Sequence, residues 1–388
     1  MDRVGFLLAC LLANAGVKVN LIDENSAILK TVSFKEAPFG EQELKKVFKK
    51  ALTSGKLSIA KSLRETVSST PIIISRVSAK VSTASVDYSP LEKFCSEAGL
   101  TLQPGSLTIF TGIFSPGVME ELVKPLLEER SGFKAGADFG LAYCPLNWLN
   151  EMAFEELSGK PYVIAGIDRG SLEKTEVLFS LAGGKPVRAE SLRAAEAFSL
   201  FQLARQAVSQ ALANEFARFC SAAGVSFREI CRVAMQAGGF SQPAKLSDTS
   251  LSAWLKLLEE EAERLKVEVK LVEAARRIGE DSVRQTVKNV AKLLKERGKR
   301  PSKAKIVILG VSSKANLKGE ISQAVRHLYT SFKRRGAGVS VWDPLYQREE
   351  LQSLGFEPAT PWEDLPKADC VIVAVGHQIF RKLKPRIL

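Results

Sequence analysis

Val4-Gly5-Phe6-Leu7-Leu8-Ala9-Cys10-Leu11-Leu12-Ala13-Asn14-Ala15-Gly16 is an apolar run closed by glycine. Val17-Lys18-Val19-Asn20-Leu21-Ile22-Asp23 follows with strand-like alternation and ends in an acid. The run predicts a helix and the alternating stretch a strand. Together they read as the helix and second strand of a βαβ dinucleotide-binding unit. Asp23 follows Gly5 at close to the ~20 residues expected before a ribose-binding acid. The first strand and first glycine of such a unit would stand before Met1. Met1-Asp2-Arg3 before an apolar stretch also imitates a signal peptide, but one acid beside one base makes a poor n-region.

With 388 residues the chain has length for two or three domains. Its 45% hydrophobic and 25% charged residues are ordinary globular values. No apolar run approaches the ~20 residues that span a bilayer, so no membrane role is expected. Cys10, Cys95, Cys144, Cys220, Cys231 and Cys370 are scattered without a C-x-x-C pair, which speaks against disulfide frameworks and metal sites. Most read as small buried apolar residues in a reducing cytoplasm. The formal charge is +12, with bases gathered in Lys45-Lys46-Val47-Phe48-Lys49-Lys50 and from Arg284 to Lys305. Lys288, Lys292 and Lys295 share one helix face, and Val283, Val287, Ala291 and Leu294 another. A solvated face accounts for these bases. With no aromatic residues interleaved for stacking, nucleic acid is not the expected partner.

Pro71–Ile74, Ser106–Phe110, Leu141–Cys144 and Pro161–Gly166 read as short buried strands, with helices such as Ser89–Ala98 and Met119–Glu129 between them. This alternation predicts a parallel α/β sheet. Ala194 to Ala223 holds neither glycine nor proline and reads as one long helix, with further helix to about Gly298. The α/β pattern restarts with the strand Lys305–Gly310. A helix at Ser322–Arg335 and strands at Val339–Pro344 and Ala368–Val375 follow. The expected fold class is α/β: two Rossmann-like parallel-sheet domains, 1–188 and 301–388, joined by a central helical block, 189–300. The first strand of the N-terminal sheet is missing from its expected place.

Several short stretches, in order and spacing, resemble the UDP-glucose/GDP-mannose dehydrogenases. They are Glu36-Ala37-Pro38-Phe39-Gly40-Glu41, Ser115-Pro116-Gly117, Gly136-Ala137-Asp138-Phe139-Gly140-Leu141-Ala142-Tyr143-Cys144-Pro145 and Ala211-Leu212-Ala213-Asn214-Glu215-Phe216-Ala217. Val269–Arg276, Ile308-Leu309-Gly310, Val341-Trp342-Asp343-Pro344 and Gly376-His377 continue the series. The resemblance implies an N-terminal NAD domain, a dimerising helical middle and a C-terminal domain for the nucleotide of a sugar. It implies oxidation of a nucleotide-linked sugar alcohol to a uronic acid by two hydride transfers through a cysteine-bound intermediate. That chemistry needs an activated thiolate, a group for the oxyanion and carboxylates for protons.

The positions that carry this chemistry in the family hold other residues here. The loop of type G-G-H-C-x-P-x-D reads Gly238-Gly239-Phe240-Ser241-Gln242-Pro243-Ala244-Lys245-Leu246-Ser247-Asp248, which puts Ala244 at the cysteine. No cysteine lies between Arg232 and Asp369. Counting from Ala195-Glu196, the family lysine and asparagine fall on Ser199 and Leu203. Pro145-Leu146 replaces Pro-Glu, Gly112-Ile113 replaces Ser-Thr, and Val77-Ser78-Ala79-Lys80 replaces V-P-T-P. Gly319-Glu320-Ile321-Ser322 follows Lys314 without the expected arginine. Asp2 stands at the second glycine of G-x-G-x-x-G, where a carboxylate repels a pyrophosphate.

The retained candidates are Gly5 near a cofactor phosphate, Asp23 on ribose, Lys314 on the sugar nucleotide and Asp248 as a proton-handling carboxylate or a helix N-cap. His377 matches a family position without an assignable chemistry. The expectation is a family member with impaired or absent catalysis, whose cofactor by resemblance is NAD and whose ligand is a nucleotide sugar. It would dimerise with itself or with an intact paralogue in the cytoplasm. The alternatives are an active UDP-sugar or UDP-N-acetylhexosamine 6-dehydrogenase with an altered site, and a non-enzymatic interaction module.

Overall fold

The computed structural model describes residues 2–24, 26–38, 42–60, 62–82, 85–146, 161–237, 249–360 and 364–382. They divide into two compact units, Met1–Leu203 with Lys256–Val267 and Ala204–Leu255 with Glu268–Leu388.

The first unit opens with helix α1 (Arg3–Asn14). Phe6, Cys10 and Ala13 recur at helical spacing and are buried. Gly16, at φ +92°, ends the helix in a left-handed conformation that glycine takes without strain. Next come β1 (Val19–Leu21), α2 (Ser26–Ser33), α3 (Gln42–Thr53) and β2 (Leu57–Ile59), and β1 and β2 pair in parallel. The strand predicted from Val17 to Asp23 is therefore present but short. Helix α3 lies on α1, with the Phe6 and Phe48 rings 5.1 Å apart.

Beyond α4 (Leu63–Ser69) and β3 (Ile72–Ser75), a short hairpin joins β4 (Lys80–Val81) to β5 (Val86–Asp87). Then follow α5 (Ser89–Gly99), β6 (Leu107–Phe110), a π-helical turn (Met119–Val123), α6 (Lys124–Ser131) and β7 (Gly140–Tyr143). Strand β8 (Pro161–Gly166), α7 (Arg169–Leu181) and β9 (Lys185–Arg188) complete a five-stranded sheet of order β3-β6-β7-β8-β9. Side chains alternate across it. Leu107, Ile109 and Ala142 join the α1 core, while Phe110, Leu141 and Tyr143 join a second core with Leu91, Cys95 and Met119. Burial on both faces explains why these strands read as unbroken apolar runs.

Two expectations are corrected. Strands β7 and β8 run antiparallel, pairing Ala142 with Gly166 and Tyr143 with Ala165, so the sheet is mixed. A strand apolar on both faces carries no mark of its direction. The β1–β2 pair is also a ladder separate from the five-stranded sheet, although Leu21 and Leu57 share one core with Leu107 and Ile109.

Helix α8 (Leu192–Ala222) is the predicted long helix, followed by α9 (Phe227–Gln236), α10 (Thr249–Leu265) and α11 (Lys270–Glu296). On α11 the apolar face runs through Val283, Val287, Val290 and Leu294, with Val290 in place of the expected Ala291. The exposed lysines Lys288, Lys292 and Lys295 agree with a solvated face.

The second unit's sheet is built from β10 (Lys305–Leu309), β13 (Gly338–Trp342) and β14 (Cys370–Val373), all parallel in the order β13-β10-β14. Between β10 and α12 (Gln323–Arg334) an antiparallel hairpin forms from β11 (Ser312–Lys314) and β12 (Leu317–Ile321). Its polar sequence lacks the apolar alternation by which strands are read. Helix α13 (Arg348–Ser353) precedes β14.

Candidate functional site

In open α/β sheets, ligands gather outside the carboxyl ends of the strands. At that edge of β3, β6 and β7 stand Arg76-Val77-Ser78, Thr111-Gly112-Ile113 and Cys144-Pro145-Leu146. The Thr111 hydroxyl donates to the Ser75 carbonyl at 2.8 Å, and the Ile113 amide donates to Ser78 Oγ at 3.2 Å. Gly112 is required by crowding: a Cβ there would lie 2.3 Å from the Val77 carbonyl oxygen. Gly112 is therefore part of the strand packing.

Asp2 is the N-cap of α1, and its Oδ1 accepts the Gly5 amide at 2.8 Å. Arg76 donates Nε to Asp2 Oδ1 at 3.2 Å and Nη2 to Asp2 Oδ2. Its Nη1 donates to the Thr111 carbonyl at 2.8 Å. Burial raises the Asp2 pKa, but the guanidinium and the Gly5 amide outweigh it and hold the carboxyl below its ordinary range. Free N–H groups and the helix dipole make this terminus the expected seat of a cofactor diphosphate. Here a carboxylate holds it. A Cβ on Gly5 would meet Arg76 Cγ at 3.0 Å and Asp2 Oδ1 at 3.1 Å. The glycine's free space thus serves this ion pair.

Glu196 on α8 is fully buried. Its two oxygens accept the Gly117 amide at 2.6 Å and the Met119 amide at 2.8 Å, clasping the Ser115-Pro116-Gly117 turn. Burial lifts its carboxyl to about 7 in spite of these two donors. Tyr143, also fully buried, donates its hydroxyl to the Gly112 carbonyl at 2.9 Å, and Ser199 hydrogen-bonds the same side chain. Ser199 thus bonds a buried phenol, and Leu203 is buried too. The spacing from Ala195-Glu196 pointed to Ser199 and Leu203 and passed over the glutamate itself.

In the second unit, Asp343 Oδ2 accepts from the Val311 amide (2.8 Å), the Ser312 amide (3.1 Å) and the Ser312 hydroxyl (2.9 Å). His377 Nε2 lies 3.2 Å from both Asp343 Oδ2 and Ser312 Oγ. The Asn316 amide donates to His377 Nδ1 at 2.9 Å, so the ring proton is assigned to Nε2. Burial opposes ionisation of Asp343, yet His377 and the backbone amides bring its carboxyl down to about 2. Asp343 and His377 had been read only as family matches. Their partnership with Ser312 depends on long-range folding that no local pattern carries.

Of the predicted site residues, Gly5 lies at the α1 terminus and Asp23 just after β1. Lys314 closes β11 opposite Leu317. Asp248 and the Gly238–Ser247 loop lie outside the described residues. Cys10, Cys95, Cys144 and Cys220 are buried. Burial pushes the thiols of Cys10 and Cys95 up to about 12, far from an activated nucleophile. Trp342 packs on Phe380, with the ring centroids 5.6 Å apart. No helix among the described residues is long and apolar enough to cross a membrane.

Residues 3–181 match the UDP-glucose/GDP-mannose dehydrogenase family, NAD binding domain. The chain is 24% identical to a UDP-N-acetyl-D-mannosamine dehydrogenase of Pyrococcus horikoshii, over 99% of its own length and 89% of the relative's. It is 22% identical to a UDP-N-acetyl-D-glucosamine 6-dehydrogenase of Salmonella typhi, over 76% of its length and 71% of the relative's. Its fold is similar to that of a UDP-glucose dehydrogenase from the hyperthermophilic archaeon Pyrobaculum islandicum. The TM-score is 0.88 at 22% identity, covering 99% of this chain and 90% of that one. The α/β fold with Rossmann-like parallel-sheet domains is the expected one. The matched stretch is thus similar to an NAD-binding domain of this family, and the likeness at 24% identity runs over nearly the whole chain.

Proposed function

We propose, from the similarity of residues 3–181 to the UDP-glucose/GDP-mannose dehydrogenase family, that this chain belongs to that family and keeps a nucleotide-sugar dehydrogenase scaffold whose oxidative chemistry is impaired or absent. The observation that carries the reading is the Asp2 carboxylate, seated on the α1 terminus where a cofactor diphosphate would lie. The absence of any cysteine from Arg232 to Asp369 agrees with it, since the thiohemiacetal and thioester of the family chemistry have no sulfur to form on. Ser199 and Leu203 supply no cation to stabilise an oxyanion, and Asp248 alone is not a nucleophile, base and oxyanion site together.

What remains suits binding. Lys314 is the proposed contact to the diphosphate of a nucleotide sugar, in the C-terminal part of the three-part division 1–188, 189–300 and 301–388. NAD binding is weakened by Asp2, and no step of a reaction is assigned to it. The helical middle is the proposed dimer surface. Leu212, Phe216 and Phe219 form an exposed apolar row on α8, and Ile230, Val233 and Met235 are exposed on α9. The second copy is this chain or an intact paralogue.

The test is direct. Purified protein is incubated with NAD and UDP-glucose, UDP-N-acetylglucosamine or UDP-N-acetylmannosamine, and absorbance of NADH is followed. The expected result is no accumulation above a heat-killed control. Steady turnover would establish an active dehydrogenase with an altered site and end this reading.

A further inference from the structure

We propose that His377 is a positioning residue, whose Nδ1 holds the tip of the β11–β12 hairpin and so sets Lys314 for the diphosphate of a nucleotide ligand. The inference rests on the reading of Lys314 given above and adds the residue that fixes it in place.

A two-stranded hairpin is marginal by itself in water. This one is short, and its register shifts between Ser312 and Lys314. It therefore depends on anchors outside itself. Its root is held by the Val311 and Ser312 amides on Asp343 Oδ2. Its tip is held by the Asn316 amide on His377 Nδ1, and the Asn316 side chain accepts the Gln378 amide at 2.8 Å. Asn316 has φ +60°, a left-handed conformation that asparagine tolerates better than most residues. Both anchors meet in one pair, because His377 Nε2 also lies on Asp343 Oδ2. The imidazole is wedged edge-on to Phe380 at 5.2 Å and has 1% exposure. One buried ring thus ties root, tip and the loop after β14 together, with Lys314 two residues from the tied amide.

Serine, histidine and aspartate in contact also suggest a hydrolytic triad, and the geometry excludes it. In a relay the carboxylate and the hydroxyl sit on opposite ring nitrogens. Here both sit on Nε2, and Nδ1 is occupied by a backbone amide. Ser312 and Asp343 are also fully buried, out of reach of any substrate carbonyl.

The two ring nitrogens can be tested separately in the full chain. His377→Asn keeps an acceptor at the place of Nδ1, and His377→Gln keeps a polar group at the place of Nε2. Hydrogen exchange of residues 312–321 reads the hairpin, exchange of 338–342 reads the sheet, and calorimetric titration with UDP reads the ligand. The expected result for His377→Gln is faster exchange in 312–321 alone and UDP affinity lower by about 5- to 10-fold. His377→Asn should stay near wild type in both. Lys314→Ala should weaken UDP binding with hairpin exchange unchanged. Hairpin exchange unaltered by His377→Gln, or a loosened hairpin with unaltered UDP affinity, overturns the proposal. If the Gln variant does not fold, the Asn variant decides: losing hairpin protection or UDP affinity overturns it. UDP binding indifferent to Lys314→Ala overturns the Lys314 reading, while the exchange result still judges His377. A wild-type chain that binds no UDP overturns both.

Discussion

Arg76 lies across the amino terminus of α1 with its guanidinium on the Asp2 carboxylate, and the same carboxylate caps the Gly5 amide. The arrangement resolves a local conflict. An acid at a helix N-terminus is favourable for folding, through the free amides and the dipole. The same acid is unfavourable for a function that needs a phosphate there. Arg76 comes from the end of β3, far away in sequence, and its Nη1 is spent on the Thr111 carbonyl. The charge that would welcome an anion is thus engaged by Asp2.

Replacing Asp2 should move stability and affinity in opposite directions. Asp2→Ala removes the cap and the Asp2–Arg76 ion pair, so unfolding free energy should fall by about 1 kcal/mol. NAD affinity measured by calorimetry should rise, by roughly tenfold if removing the repulsion is worth about 1.4 kcal/mol. Unchanged or weaker NAD binding in the variant would show that Asp2 does not guard the site. Because the Asp2 pKa is lowered on folding, its stabilisation is present above the unfolded pKa and is lost as pH falls through the lowered value.

Glu196 predicts the contrary pH dependence. Its folded carboxyl titrates at about 7, against 4.5 in the unfolded chain. Between those values the native state holds a proton that the unfolded state has released, so stability from this group falls as pH rises from about 4.5 to 7. The difference corresponds to roughly 3 kcal/mol. Glu196→Gln has no proton to lose. Urea unfolding at pH 5 and pH 8 should therefore show the wild type losing its advantage over the variant at the higher pH. Parallel pH profiles for the two proteins would refute the assignment.

Elements of this chain differ in how plainly the sequence marks them, for a physical reason. Elements with strong periodicity were legible: α1 from Val4 onward, α8 from its unbroken helical spacing, and β8 as Pro161–Gly166. The β11–β12 hairpin was not, because Ser312–Ile321 alternates no apolar residues and is held by Asp343 and His377 instead. The antiparallel turn from β7 to β8 was not, because buried strands look alike in either direction. Asp2 was legible as an acid before the first helix, and it caps that helix. Its partner Arg76 was invisible, since only the folded sheet brings the end of β3 to α1. Glu196 was legible only as a counting point and His377 only as a family match, because their roles lie in distant backbone amides.

Gly310 and Gly376 offer a paired test of the second unit. Gly310 follows β10 at φ +87°, and a Cβ there would lie 2.6 Å from Val375 Cβ. Gly310→Ala combines left-handed strain of about 1–2 kcal/mol with overpacking of about 1–3 kcal/mol. A loss of about 2–4 kcal/mol is expected in denaturant unfolding. Gly376 has open space where its Cβ would go, so Gly376→Ala should stay within about 0.5 kcal/mol of wild type. Equal effects at the two sites would contradict the packing described for the β10 turn.

The apolar row on α8 predicts the oligomeric state. Leu212, Phe216 and Phe219 stand at i, i+4 and i+7, and are 63%, 43% and 63% exposed. Phe216 stacks on Phe219 at 5.4 Å and lies 6.4 Å from Phe227, so the aromatic cluster continues onto α9. A helix with water on such a face carries an unfavourable surface that a second copy would cover. Light scattering at micromolar concentration should give a mass near twice the chain's 42.3 kDa. Leu212→Glu with Phe219→Glu should return the mass to one chain, because the charges would be buried unpaired in the interface. Since both positions face solvent in the single chain, the far-ultraviolet circular dichroism of the double variant should match that of wild type. A wild-type monomer that also ignores an intact paralogue would remove the dimer surface from the proposed function.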